Sequence, residues 1–404
     1  MDGAQGSIEE LTIAPEDPGF YRDAGPACRW LHDVAPVYWH EAQDLWVISK
    51  WEDIRYVSRS PELFCSSQGT LLRRPKGDGA PRPAPPSNVD GRLVGPSLLE
   101  MDPPMHGRYR QLVSRAFTTK MVASLEPRIR AIAQQSIDSV LGETADFVEY
   151  LAAPLPLLII AEMLGIPGED IGEFKRWTDA IASSTNRDPT IATEMFDYLE
   201  HQLDLREGRP REDLLSGLLS AQVDADRLSR PDILRTVSFL LVAGNETTRS
   251  LIAGGARALM EHPEQKAKLL AEPEQIRNGV EEMLRWVTPV RWFGRTAAGD
   301  QVIRGQRIAD GDYLLLLYLA GNRDSEVWLE PYAFDVTRPP SQHVSFGHAE
   351  HLCIGTGLAR LEARVMFEEL LLRCPDLTLA GEVQLMDSAL LNCTESMPVT
   401  FAAR

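Results

Sequence analysis

The sequence predicts a mainly α fold with a small β component, in one large domain spanning 1–404. Three observations carry that expectation. Six segments repeat apolar residues at three- and four-residue spacing, only two short stretches read as strands, and no long linker or internal repeat divides the chain. The helical segments are Pro104 to Phe117, Met121 to Leu141, Asp213 to Ala221, Pro231 to His262, Pro273 to Val287 and Gly355 to Arg373. Several open on a proline, whose fixed φ suits the first helical turn. The strand-like pieces are Val37 to Ile48 and the stretch from Gly294 to Leu317, where Val302-Ile303 and Tyr313 to Leu317 flank a turn-forming segment with Gly305 and Gly311.

One composition shift interrupts this pattern. Residues 73–96 are rich in Pro and Gly, including Pro81-Arg82-Pro83-Ala84-Pro85-Pro86. Each proline removes a backbone donor, so the segment sustains neither a helix nor a central strand. Leu98-Leu99 and a helix start at Pro104 follow at once, which favours a long loop inside one domain, of the kind that covers a site.

Composition excludes several classes. The chain has 404 residues, 41 Lys plus Arg against 59 Asp plus Glu, and a net charge of −18. That balance argues against nucleic-acid binding, which relies on clustered cations. Cys28, Cys65, Cys353, Cys374 and Cys393 are odd in number and scattered, pointing to a reducing compartment and not to a disulfide framework. The acidic N-terminal residues lack a signal-peptide pattern, and the apolar run Tyr150 to Ile160, broken by Pro154 and Pro156, is too short to span a bilayer. A cytoplasmic chain without a membrane anchor is the expectation.

Chemistry concentrates in four places. The first is Phe346-Gly347-His348-Ala349-Glu350-His351-Leu352-Cys353-Ile354-Gly355, which leads into an amphipathic helix. A cysteine at a helix start is favoured as thiolate by the dipole and the free N–H groups, and the glycines let backbone approach a flat ligand. A buried structural cysteine is one alternative, and a zinc site from His343, His348, His351 and Cys353 is another, although this spacing fits no closed zinc pattern. The second place is Ala243-Gly244-Asn245-Glu246-Thr247-Thr248, inside a long apolar helix, where weak helix formers beside an acid mark a locally opened helix. The third is Glu282-Met283-Leu284-Arg285, with acid and base on one helix face; alone, such a pair is an ordinary surface ion pair. The fourth is His106-Gly107-Arg108-Tyr109-Arg110, whose His106 and Arg110 share a face and can grip one anion, unless the run is merely a solvated basic helix.

Together these strings resemble the cytochrome P-450 family. The first matches its cysteine-ligand signature F-G-x-G-x-H-x-C-x-G at Phe346, Gly347, His351, Cys353 and Gly355, and departs from it at Ala349, where the family has glycine. The other three follow in the family's order and spacing over most of the chain. The resemblance implies haem b (iron protoporphyrin IX) with Cys353 as its iron ligand. It assigns proton delivery to Glu246 and Thr247, and propionate binding to His106, Arg110, Arg295 and His351. Glu282, Arg285 and Arg338 become a buried structural triad, Arg338 coming from Phe334-Asp335-Val336-Thr337-Arg338. Leu98, Leu99, Leu240, Ala243, Val290, Trp292, Phe293 and Leu391 fall near the substrate cavity.

The implied activity is insertion of one oxygen atom from O2 into a C–H bond of a hydrophobic steroid, terpenoid or macrolide-like substrate. Ala243 to Arg249, Glu281 to Trp286, Ala152 to Pro156 and Glu395 to Pro398 are similar to actinobacterial members that oxidise sterols and branched lipids. The chain shows no flavin or iron–sulfur segment, so electrons are expected from a ferredoxin and a ferredoxin reductase using NAD(P)H. Arg108, Arg110, Arg115, Arg360 and Arg364 supply cations for an acidic donor, though internal ion pairs compete for them. A monomer is expected. The alternatives are a peroxygenase of the same fold, which Glu246 and Thr247 argue against, and a non-catalytic haem-binding module.

Overall fold

The computed structural model describes residues 13–72, 95–182, 189–339 and 342–402. Its spine is the helix Arg230–Glu261, 32 residues long. Ser229 caps its start, accepting from the Asp232 N–H, while the Asp232 carboxylate accepts from the Ser229 N–H. Leu234, Val237, Leu241, Leu251, Ile252 and Leu259 are buried along it. Against it pack the helices Pro154–Met163, Ile276–Val287 and Thr356–Arg373, the last also lying on Glu126–Asp138.

Two glycines set how closely these helices meet. A Cβ on Gly254 would stand 2.8 Å from a Val287 methyl, and one on Gly255 would stand 2.8 Å from both Met283 Sδ and Phe367 Cζ. Larger residues there would push the spine away from the two helices that frame the cysteine loop.

The sheet is small. Its five strands run in the order Val37–His40, Leu45–Ile48, Tyr313–Leu316, Phe293–Ala297 and Phe64–Cys65. The first two form a hairpin pairing Val37 with Ile48, Leu45–Ile48 runs parallel to Tyr313–Leu316, and Leu314 faces Arg295 across an antiparallel pair. Leu314, Leu315 and Leu316 are fully buried, so both sheet faces are covered.

The structure differs from the sequence reading in three places. The expected helix Met121 to Leu141 is two, Thr119–Ser124 and Glu126–Asp138, because Pro127 can only sit in a first helical turn. The run Tyr150 to Ile160 holds a π-helical turn at Val148–Ala152 and the start of helix Pro154–Met163, where Pro154 opens the helix and does not break it. The spine helix is also continuous through Gly244 to Thr248, so the expected opening is absent; the Thr247 hydroxyl bonds back to the Ala243 carbonyl at 2.6 Å. The Pro-rich loop lies almost wholly outside the described residues, through residue 94.

Among the described residues no helix is long and apolar enough to cross a membrane.

Candidate active site

Cys353 sits between a 3-10 turn at Ala349–His351 and the helix Thr356–Arg373. Its N–H donates to the Phe346 carbonyl at 2.9 Å, and the Gly347 N–H donates to Val344 at 2.9 Å, closing the loop on itself. Gly347 has φ +72°, a conformation open to glycine; Ala349 takes φ +56° without that freedom. The departure from the family signature therefore falls on a left-handed residue.

The thiol opens into a cavity between the helices Arg230–Glu261 and Thr356–Arg373. Burial pushes the Cys353 thiol up, opposed by the Gly355 N–H and by the Arg110 and Arg360 guanidiniums. The helix-start donor expected from the sequence is thus present, but in the protein alone burial outweighs it.

At one edge of this cavity stand His106 and Arg110 from helix Met105–Ala116, Arg295 from strand Phe293–Ala297 and His351 from the cysteine loop, three separate stretches of chain. The His106 and His351 rings are 4.3 Å apart, and His351 Nε2 meets the Ser66 hydroxyl at 3.1 Å. Arg110 donates to the Leu352 carbonyl at 2.5 Å, and Arg295 to the Gly294 carbonyl at 2.7 Å. Burial, then Arg295 and the neighbouring His106 and Arg110, push the His351 imidazole down to about 2; burial and Arg110 lower His106 too. His106 Nε2 is buried without a partner. Such a group of donors, one of them orphaned, calls for anionic acceptors.

The opposite wall is apolar. Leu98, Leu99, Leu240, Ala243, Val290 and Phe293 line it, with the Thr247 hydroxyl among them. Trp292 does not: just before strand Phe293–Ala297, it is buried with Leu45, Val47 and Leu315 and donates to the Ala389 carbonyl at 3.0 Å. Leu391 is also absent from the wall, although an isolated antiparallel bridge joins its backbone to that of Val290, which lines it. Glu246 lies outside the cavity as well. Its carboxylate is buried, 3.6 Å from Arg249 and 3.6 Å from the Cys393 sulfur.

Sequence reasoning missed other lining residues. Pro156, Ile160 and Met163 reach the cavity from one face of their helix, a face the sequence hides because the residues between them are almost all apolar too. Glu362, fully buried beside the cavity, pairs with Thr248; burial pushes its carboxyl up to about 8.

Behind the cavity Glu282 and Arg285 form a two-pronged pair, both contacts 2.7 Å, with Arg338 3.3 Å from the same carboxylate. Arg285 also donates to the Asn322, Pro331 and Ala333 carbonyls. With Glu282 and Arg285 both buried, this is an internal hub and not a surface pair.

The zinc arrangement is not formed. His343 Nε2 meets Glu281 at 3.2 Å, and His348 accepts from Arg55 at 3.2 Å. Among the described residues no three His, Cys, Asp or Glu side chains are grouped to hold a metal ion. A single thiol on the floor, an orphaned imidazole and two guanidiniums at one edge, and apolar walls fit instead a flat apolar macrocycle carrying carboxylates and a metal with one protein ligand.

A mainly α protein built around a cysteine-floored cavity is the class that this geometry defines. The cytochrome P450 family model matches residues 191–387. A steroid C26-monooxygenase of Mycobacterium tuberculosis is 34% identical over 411 residues, covering 97% of this chain and 98% of its own. Two solved structures align throughout. Cytochrome P450 CYP109Q5 from Chondromyces apiculatus has TM-score 0.88 and 34% identity, with 97% of this chain and 98% of its own covered. CYP109E1 from Bacillus megaterium, in complex with testosterone, has TM-score 0.83 and 29% identity, with 94% and 99% covered. The chain belongs to the cytochrome P450 family and is a monooxygenase of the bacterial type, an oxidoreductase with the haem-iron cofactor of that family.

Proposed function

We propose that this P450 hydroxylates a steroid, terpenoid or macrolide-like molecule, with haem b held by Cys353 and electrons supplied by a ferredoxin and its NAD(P)H-dependent reductase. The observation that carries the substrate class is the wall of Leu98, Leu99, Leu240, Ala243, Val290 and Phe293, which offers surface to a hydrophobic body and few polar anchors. The names of the steroid-oxidising relative and of the testosterone complex point the same way.

Haem, when bound, supplies dioxygen activation and C–H oxidation. The chain's residues do the rest. Cys353 ligates the iron, and His106, Arg110, Arg295 and His351 bind the two carboxylates, satisfying the orphaned His106 nitrogen. The apolar wall orients substrate and excludes water. The Thr247 hydroxyl, now donating to Ala243, holds a proton at the cavity surface, and Glu246 replenishes it by turning away from Arg249 and Cys393.

Donor docking draws on fewer cations than the sequence offers. Arg360 is tied to Glu281, and Arg364 to Glu126 and Glu368, leaving Arg108 exposed and Arg110 and Arg115 on carbonyls. The test is a spectral titration of the ferric protein with steroids, terpenoids, macrolides and fatty acids. A low- to high-spin Soret shift confined to the first three classes is expected, and a response to fatty acids alone would refute the substrate class. Thr247→Ala should raise NAD(P)H consumption relative to product, and unchanged coupling would refute its role.

A further inference from the structure

Helix Ile276–Val287 carries two adjacent acids that face different ways. Glu282 serves the Arg285 hub. Glu281 faces the cysteine loop, outside every role described above. Its carboxylate takes both prongs of Arg360 at 2.7 and 2.9 Å, and its Oε2 lies 3.2 Å from His343 Nε2. The Ser345 N–H donates to His343 Nδ1, which leaves Nε2 as the protonated nitrogen that donates to Glu281.

Both partners of Glu281 then meet the same ring. The Arg360 guanidinium stands 4.7 Å over Phe346, and the His343 ring lies 5.7 Å from it. Phe346 lines the cavity and its carbonyl holds the Cys353 N–H. Burial alone would raise the Glu281 carboxyl, but His343 and Arg360 override it and hold the group at about 2, so the anion persists at every working pH.

We propose that Glu281 is a positioning residue for the thiolate ligand: it fastens Arg360 and His343 against Phe346, fixing the segment that holds Cys353 and cancelling the Arg360 charge beside the cavity. This rests on Cys353 being the iron ligand. Two consequences follow. Freeing Arg360 leaves an uncompensated cation beside the cavity, which favours the added electron of the ferrous state. Loosening Phe346 weakens the hold on the Cys353 backbone.

The test uses haem-loaded protein and four variants: Glu281→Gln, Glu281→Asp, Arg360→Met and the Glu281→Gln/Arg360→Met double. The readouts are the ferric/ferrous midpoint potential and the persistence of the thiolate-type carbon monoxide band in mild urea. Glu281→Gln should move the potential upward and Arg360→Met downward, with the double between them, and Glu281→Asp should restore most of the parent value. The band should be lost at lower urea in both single variants. Potentials that stay at the parent value, or shift in the same direction in both single variants, would overturn the proposal. If the parent itself lacks the thiolate band, the ligand assignment fails first and the proposal with it.

Discussion

Ala349 occupies a position where the family signature has glycine, and it does so at φ +56°. For an L-residue the left-handed conformation costs about 1–2 kcal/mol, because Cβ crowds the following carbonyl. Ala349→Gly removes that cost but adds about 0.5–1 kcal/mol of backbone entropy to the unfolded chain. The difference leaves the loop about 0.7 kcal/mol more stable, taking central values. Over 404 residues this moves a thermal midpoint by only about 1 °C, so melting is the wrong assay. The loop's own opening is the right one, since about 0.7 kcal/mol is roughly threefold in an equilibrium constant. The assay is the urea-dependent conversion of the thiolate-type carbon monoxide band in Ala349→Gly, the parent and Ala349→Val. The expected order of resistance is Gly, Ala, then Val, because a β-branched residue is strained most at positive φ. A glycine variant that opens as readily as the parent, or more readily, would refute the reasoning.

Two further outcomes follow from the buried charges. Arg285→Met leaves the Glu282 carboxylate buried with Arg338 as its one cation and the Asp335 N–H as its one backbone donor, and strips donors from three carbonyls, a loss of about 3–5 kcal/mol; urea unfolding should show it, and near-parent stability would contradict the hub. Glu362 has its folded-state pKa raised from the ordinary carboxyl range to about 8, so the folded protein binds the extra proton and stability falls as pH rises through that window. Glu362→Gln should flatten this slope and be the more stable form above pH ~8, whereas parallel pH profiles for the two proteins would show that Glu362 titrates normally.

How legible the molecule was in its sequence depended on how each residue's environment is encoded. The spine helix shows itself through its apolar spacing and the Ser229–Asp232 capping box. Helix Pro154–Met163 does not, because nearly every side chain in it is buried and an all-apolar helix has no periodicity to read. The cysteine loop is readable because Phe346, Gly347, His351 and Cys353 lie in one short string, whereas the other donors come from two distant stretches: His106 and Arg110 show a shared helix face, and Arg295 is reached only through the family resemblance. The family resemblance misplaces Trp292, which precedes strand Phe293–Ala297 and packs with Leu45, Val47 and Leu315 away from the cavity, a side that no local spacing in the sequence encodes. Glu362 reads as a solvated acid until its helix is placed; it follows the cavity-lining Leu358 by four positions and Ala359 by three, so all three share one face. Glu281 was hidden for a related reason, since its partners lie 62 and 79 residues away.

The central claim is that Cys353, alone among the five cysteines, ligates the haem iron as a thiolate. The direct measurement is the carbon monoxide difference spectrum of the reduced, haem-loaded protein and of Cys353→Ser. The parent should show the long-wavelength thiolate band, and the variant should lose it while still binding haem through the His106, Arg110, Arg295 and His351 cluster. A band that survives in Cys353→Ser, or that never forms in the parent, would contradict the account.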